Sequence, residues 1–589
     1  MLAVGKDAVN ILVKKQGLRF CSSATCISTV VQLISKQHWI KFKTEVLPRT
    51  NPYDVLIQLL DHRVDPMQTL RYYTWSQKEF NISHPLDLTF RMLYGLVCIG
   101  KYQKIRSFLD QFLERDELCS VCSIFHSIAI SSNSISPSSI VVDILILAYV
   151  RHLKTELALE GFKRARDYGF RLSALPCNAL MKSLSEESKT GKMQYVYREM
   201  IRRRIVLDVE SFNVVINGLC RARKLRKATD VFNEMKELGV QPNNATYNSL
   251  LHGHCQLSKS VKMYKVDTIL KEMKGMGIPS NVITFNILIH ALCKNDNVLA
   301  AFKVLEDMEK QGIKPSVVTF NTLIQKLCFD QKVEEALALQ RQMIIQGLKP
   351  NTRTYNNLLQ GLCHNKMVLQ AVKMLDEMEK VKIPCSVFSY NIVIDAHCKQ
   401  GKLDDAVTLC ELMVTKGICP NVSTYNSLIA GACEKGDTKR MIDIFNDMKS
   451  RNLGSDVVTY NIMIKSLCGR GKASNGVKLL DEMRRRGVHP NHISYNTLME
   501  GYFKEGNMEA ALRLRSRMER EGKLGNLVTY NVLLYGLCKN GKVEDANGIL
   551  NEMLENGLVP NDITYGIIKE EMIEKGFLPD IEGHLYNAQ

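Results

Sequence analysis

The sequence predicts an all-α protein, a solenoid of stacked antiparallel helical hairpins, and three observations carry that prediction. One block of 35 residues recurs: 527–561 reads LVTYNVLLYGLCKNGKVEDANGILNEMLENGLVPN, 457–491 reads VVTYNIMIKSLCGRGKASNGVKLLDEMRRRGVHPN, and 317–351 is a third version. A fixed period in this range marks a repeat architecture. Within a block, apolar residues fall at positions 4, 7, 8 and 11, as at Tyr530, Leu533, Leu534 and Leu537, which is one face of a helix. A second apolar face follows the turn Lys539–Lys542, through Val543, Ala546, Ile549, Leu550 and Met553. Gly557 stands where a helix would close in a left-handed residue, and Pro560 forbids its continuation. A two-helix unit cannot bury its apolar faces alone, so neighbours must stack.

Residues 1–44 carry Lys6, Lys14, Lys15, Arg19, Lys36, Lys41 and Lys43 against one acid, Asp7. That composition is a transit peptide's, with a basic disordered arm as the alternative. Arg19–Ser23 resembles a mitochondrial presequence cleavage region, so the mitochondrion is the expected destination and the chloroplast the alternative. Residues 45–138 are helical but off-pattern; Leu88–Leu93 has the shape of a first helix, with Arg91 in place of an asparagine. The stretch 127–139 is polar and interrupted by Pro137, hence a predicted loop. This region would cap the stack.

Twelve units follow: 139–173, 174–208, 209–243, 244–281, 282–316, 317–351, 352–386, 387–421, 422–456, 457–491, 492–526 and 527–561. The fourth is longer by three residues, placed at its inter-helix turn around Ser258–Val266. Residues 562–580 start as a first helix and finish as the end of a second, so 562–589 reads as a truncated repeat and C-terminal cap. No apolar run reaches the roughly 18 residues a membrane span needs. The net charge of +17 favours a polyanionic partner.

A 35-residue hairpin opening on T-Y-N, closing its first helix on G-L-C-K and ending on E-M…G…P-N resembles the pentatricopeptide repeat. The resemblance runs unbroken from Ser139 to Asn561 and is to the pure-repeat subclass of plant organelles. The tetratricopeptide repeat differs in period and in its marker residues. The resemblance implies a right-handed superhelix and the binding of single-stranded RNA, one base per repeat. It implies action on an organelle transcript by stabilisation, end definition, splicing or translation. A protein-binding helical-repeat scaffold is the alternative function.

Position 5 is asparagine in eleven of the twelve units: Asn178, Asn213, Asn248, Asn286, Asn321, Asn356, Asn391, Asn426, Asn461, Asn496 and Asn531. The first unit has Asp143. Asparagine costs a helix about half a kcal/mol against alanine, so its repetition needs a cause. One cause is structural, an amide satisfying a backbone group in the first turn. The other is functional, since an amide both donates and accepts on a base edge. In the family this residue acts with the unit's last residue, here Asp208, Asn243, Asn281, Ser316, Asn351, Ser386, Asn421, Asp456, Asn491, Asn526 and Asn561. By the family's code Asn with Asp favours U, and Asn with Asn or Ser favours pyrimidines, leaning to C. The implied target is a pyrimidine-rich single strand, U-Y-Y-C-Y-C-Y-U-Y-Y-Y from the second unit onward; the first unit, with Asp143 and Ser173, is unreadable. Position 2 carries base-sandwiching side chains in the family, matched by Ile283, Val318, Phe388, Val458, Ile493 and Val528, with departures at Glu210, Arg353 and Ser423. Position 13 supplies Arg151, Arg221, Lys294, Lys399, Lys504 and Lys539, either phosphate contacts or cations favoured at a helix C-terminus.

Nine of the eighteen cysteines occupy position 12, from Cys220 to Cys538, and read as small buried apolar groups. The one C-x-x-C, Cys119–Cys122, has no partner pair at zinc spacing. No metal, cofactor or enzymatic motif is expected: the deaminase pair H-x-E with P-C-x-x-C, H-E-x-x-H and a phosphate-binding glycine loop are all missing.

Overall fold

From Val317 onward, the first helix of each repeat begins where the sequence supplies an N-cap. In the computed structural model, which describes residues 24–115, 120–131, 135–256, 263–573 and 576, every regular element among those residues is helical. First helices start at Val317, Thr352, Val387, Val422, Val457, His492 and Leu527, 35 residues apart. Each is preceded by Ser, Asn or Asp in extended backbone, whose side chain accepts from the third helical N–H. The Ser or Thr at that third position bonds back to the capping residue's N–H, completing a capping box. Such a cap stabilises its helix by about 1 kcal/mol. The second helix closes on a left-handed residue: at Gly557, φ is 72°, and the N–H of Leu558 reaches back to Met553 O at 3.1 Å.

Packing between consecutive first helices explains why glycine and cysteine keep company. A Cβ on Gly361 would lie 2.5 Å from the Cys328 sulfur, and one on Gly501 would lie 2.6 Å from that of Cys468. Position 10 of one repeat thus rests on position 12 of the repeat before it. The cysteines are core side chains: burial pushes the thiols of Cys220, Cys328, Cys398 and Cys468 up to about 12, so they are neutral and inert. Met308, Met343, Met378, Met483 and Met553 are wholly buried, where truncation to alanine costs about 2–5 kcal/mol.

The chain divides into two compact bodies, Met1–Ala291 and Leu292–Gln589. In the first, two sequence expectations change. A leader reaching to residue 44 does not fit, because helices Ala24–Ser35 and Trp39–Glu45 are built into the core. Ile34 and Phe42 are fully buried, and the Trp39 ring stacks on Trp75 at 4.6 Å. The leader's proposed cleavage region and residues 1–23 lie outside the described residues. The predicted loop 127–139 is instead mostly helical, since Val121–Ser131 and Ile135–Arg151 are helices. Val121, Ile124, Phe125 and Ile128 form a buried i, i+3, i+4, i+7 stripe, and Pro137 sits in the first turn of its helix, where a missing N–H costs nothing. The inter-helix insertion at 257–262 and Cys119 also lie outside the described residues. No helix among the described residues is long and apolar enough to cross a membrane. In the second body, helix Asp562–Ile567 follows the last full hairpin and passes into a π-helical turn, Ile568–Ile573.

Candidate nucleic-acid interface

Position 5 lies in the first turn of the first helix, buried or half-buried in every asparagine repeat. Its amide is held by the next repeat, not by its own backbone. In the first body the Ser211 hydroxyl donates to Asn178 Oδ1 at 2.7 Å, Thr246 to Asn213 at 2.6 Å, and Thr284 to Asn248 at 2.8 Å. In the second body Thr354, Ser389, Thr424, Thr459, Ser494 and Thr564 donate likewise to Asn321, Asn356, Asn391, Asn426, Asn461 and Asn531, at 2.6–2.8 Å. These donors are the third residues of the capping boxes. The asparagine Nδ2 in turn donates to the capping residue's Oδ1, from Asn178 to Asp208 at 3.1 Å and from Asn391 to Asn421 at 3.2 Å. The same bond joins Asn213 to Asn243, Asn248 to Asn281, Asn321 to Asn351, Asn426 to Asp456, Asn461 to Asn491 and Asn531 to Asn561. Position 5 and the capping residue that ends the repeat therefore touch, and a hydroxyl fixes which way the amide points.

What stays available follows by subtraction. An amide nitrogen has two N–H groups and one is spent. The capping oxygen is spent as well, which leaves an amide NH2 on the capping asparagines and a second carboxylate oxygen on Asp208 and Asp456. Burial alone would raise both carboxyls, but the N–H and hydroxyl of Ser211 with Asn178, and of Thr459 with Asn426, hold them below the ordinary range. Both are ionised acceptors near neutral pH. Two repeats depart. Asn356 finds no acceptor for its Nδ2 on the shorter Ser386. Asn496 keeps a buried Oδ1 without a partner. In the first repeat Asp143 accepts from the Ser173 N–H at 3.2 Å, so its carboxylate is spent on the chain itself.

Beside each amide stands a side chain that the fold leaves out. Ile283, Val318, Phe388, Val458, Ile493 and Val528 are 53–60 % exposed, although each sits in a helix whose neighbouring residues are buried. Leu175 and Ile563 hold the same position and are equally bare. The sequence reading omitted these two, and the period alone would have found them. It also passed over the hydroxyl at position 3, present in plain view as the T of T-Y-N. Glu210, Arg353 and Ser423 interrupt the apolar series and are exposed.

The cations at position 13 are mostly engaged. Arg151 pairs with Asp110 at 2.7 Å, Lys399 with Asp395 at 2.7 Å, Lys504 with Glu500 at 2.6 Å and Lys539 with Glu571 at 2.8 Å. Arg221 ends its helix exposed, and Lys294 ends the helix Val282–Lys294.

Helical hairpins of fixed length, capped and stacked in this way, define a helical-repeat protein with a periodic polar and apolar surface. The PPR repeat family model matches residues 207–256, 280–328, 315–364, 350–399, 385–434, 420–469, 455–499, 490–539 and 525–572, and the PPR repeat model matches 245–278. The chain belongs to the pentatricopeptide repeat family. It is 29% identical over 228 residues to a pentatricopeptide repeat-containing protein of Arabidopsis thaliana, covering 36% of this chain and 30% of that one. A mitochondrial Arabidopsis relative is 26% identical over 36% of this chain and 24% of its own length. A chloroplastic one is 32% identical over 17% and 13%. The matched segments thus span less than a third of these relatives. The crystal structure of the pentatricopeptide repeat protein PPR10 in complex with an 18-nt psaJ RNA element superposes with a TM-score of 0.53 at 18% identity, covering 94% of this chain and 98% of that one. The two share the α-solenoid fold.

Proposed function

We propose that this protein binds a pyrimidine-rich single-stranded RNA, one base per repeat, on the stripe formed by positions 5, 35 and 2. The observation that carries the proposal is the pairing, in the repeats of Asn178, Asn321, Asn391, Asn461 and Asn531, of an oriented, partly satisfied amide with an exposed apolar side chain. A soluble protein gains nothing for its own fold by baring isoleucine or valine once per repeat; a stacked base would cover it. The spare N–H of position 5 offers a donor to a pyrimidine carbonyl. At Asp208 and Asp456 the free carboxylate oxygen accepts from the ring N–H of U. At Asn243, Asn351, Asn421, Asn491, Asn526 and Asn561 the free NH2 suits the ring acceptor of C. The closed hydrogen-bond circuit is itself part of the fold, so position 5 is structural and functional at once.

The RNA would be an organelle transcript, and occupancy the mechanism: bases held in the stripe are denied to nucleases and to competing structure, as in stabilisation, end definition, splicing or translation. The basic leader directs the chain to the mitochondrion, with the chloroplast as alternative.

The test is binding of the full chain to the predicted pyrimidine strand, its purine complement and the pyrimidine strand in a duplex. Tight binding to the first alone is expected. Asn426→Thr with Asn461→Thr is expected to move preference toward purines at two adjacent positions by roughly tenfold, a typical discrimination of 1–3 kcal/mol per base contact. Equal binding to all three would make the amides structural only, and no binding would favour the protein scaffold.

A further inference from the structure

We propose that the second helices of the first two repeats form a phosphate-binding face outside the stripe, which takes the RNA backbone flanking the read strand whatever its sequence. This rests on the RNA-binding reading above. The charge of the chain is unevenly spread. Between Arg151 and Lys227 stand 18 lysines and arginines against eight acids, whereas Leu292–Gln589, with its seven whole repeats, holds 38 against 36. Helices Thr155–Asp167 and Thr190–Arg202 bring part of that excess together. The Glu199 carboxylate, 4 % exposed, accepts from Arg202 at 2.9 Å and lies 3.6 Å from both Arg166 and Arg203. Arg166 also reaches Asp167 at 3.5 Å. The Arg203 guanidinium lies over the Phe162 ring at 4.2 Å and donates to Phe162 O at 2.9 Å, while its Nε and Nη2 are buried without a hydrogen-bond partner. Around this knot Lys163, Arg198 and Arg204 are exposed and, among the described residues, paired with no acid. The run Arg484–Arg486 in the second body is the contrast: Arg484 pairs with Glu521 at 2.7 Å and Arg486 with Glu482 at 3.1 Å.

Arg204 is held at a cost to the fold. It occupies position 31, the left-handed stop, with φ 53°, where Gly169 and Gly239 stand in the adjoining repeats at 72° and 74°. A side chain is strained in that conformation, and no ion pair among the described residues offsets the strain. Its place gives it a use. Four residues on is Asp208, which Asn178 reaches at 3.1 Å in the first readable repeat. A strand leaving the stripe past Asp208 would meet Arg204 and then the arginines gathered on Glu199. Arginine suits phosphate because its planar fork bonds two oxygens at once, and contacts to the backbone carry no base preference. The centre of the face is charged, whereas a protein partner would bury an apolar one.

The experiment is binding of the full chain to the predicted pyrimidine strand, bare or with a short purine tail at one end or the other, at several salt concentrations. A tail at one end only is expected to raise affinity at low salt by roughly three- to tenfold, with a salt slope steeper by about 0.7 for each phosphate engaged. Lys163→Gln with Arg198→Gln is expected to abolish that gain and to leave the bare strand and its base preference unchanged. Both residues are exposed, so the fold is not at risk. Arg204→Gly is expected to reduce the gain while raising the melting temperature, a combination that a purely structural arginine would not produce. Equal gains from tails at both ends would overturn the proposal, as would a gain that survives in every variant. A chain that prefers the pyrimidine core but gains nothing from a tail would sink this face alone. A chain that gains from one tail but binds a purine core equally well would sink the base-reading stripe and leave the face standing.

Discussion

At the scale of the residue, the most informative group is the hydroxyl at position 3. It completes a capping box and orients the amide of the preceding repeat, so under the proposed RNA reading it would couple stability to selectivity. Thr459→Val removes the donor held 2.6 Å from Asn426 Oδ1 and the acceptor used by the Asp456 N–H. Valine matches threonine in shape but not in hydrogen bonding, and a partly buried polar group left unpaired costs about 1–3 kcal/mol. The expected outcome is a fall in unfolding free energy of about 1–2 kcal/mol together with loss of U-over-C preference at that step. Val458→Ala is the contrast, expected to weaken RNA binding with no loss of stability. Denaturant unfolding and binding to strands differing at one base separate the two effects. Position 5 was legible in the sequence because it repeats. Its bonding was not, because the partner lies 33 residues ahead, and only stacking brings Thr459 to Asn426.

At the scale of the element, helix spans and ends followed from sequence wherever the period held, since the first helices from Val317 onward have their own N-caps and the hairpin helices a left-handed stop and an apolar stripe. Legibility failed at the N-terminal end. There the Pro137 and serine content of 127–139 signalled a loop, while tertiary burial of Ile124, Phe125 and Ile128 imposed helix. The basic charge of residues 24–44 likewise masked a Trp39–Phe42 anchor. The contact between first helices yields a sharper prediction. Gly431→Ala places a methyl 2.7 Å from Cys398 Cβ, with backbone behind it at 3.2 Å; the helices must part, at about 1–3 kcal/mol. Gly191 is also helical but its Cβ position meets nothing within 4 Å, so Gly191→Ala is expected to stabilise by up to about 1 kcal/mol through helix propensity. Opposite shifts in melting temperature from one chemical change would place the cost in the packing between repeats, and equal shifts would refute it.

At the scale of the whole molecule, the 78 lysines and arginines overstate the free cations a phosphate backbone would meet. Much of the basic charge is committed to carboxylates one helical turn away or in the next repeat, as with Lys399 on Asp395 and Lys504 on Glu500. Such exposed pairs add little to stability, typically under about 1 kcal/mol, yet they matter for an anionic ligand. A cation already paired releases fewer counterions when a phosphate arrives. Each phosphate neutralised on a single strand steepens the dependence of log K on log salt by about 0.7. If all six position-13 cations contacted phosphate freely they would contribute a slope near −4. With Arg151, Lys399, Lys504 and Lys539 paired, their contribution is expected to be well short of that. Asp395→Asn and Glu500→Gln release Lys399 and Lys504 and leave the position-5 asparagines in place. Each is expected to steepen the slope by up to about 0.7 and to raise affinity at low salt, with base preference unchanged. Titrations at several salt concentrations read this directly. An unchanged slope in both variants would mean that position 13 lies away from the strand, and that affinity comes from stacking and base edges instead.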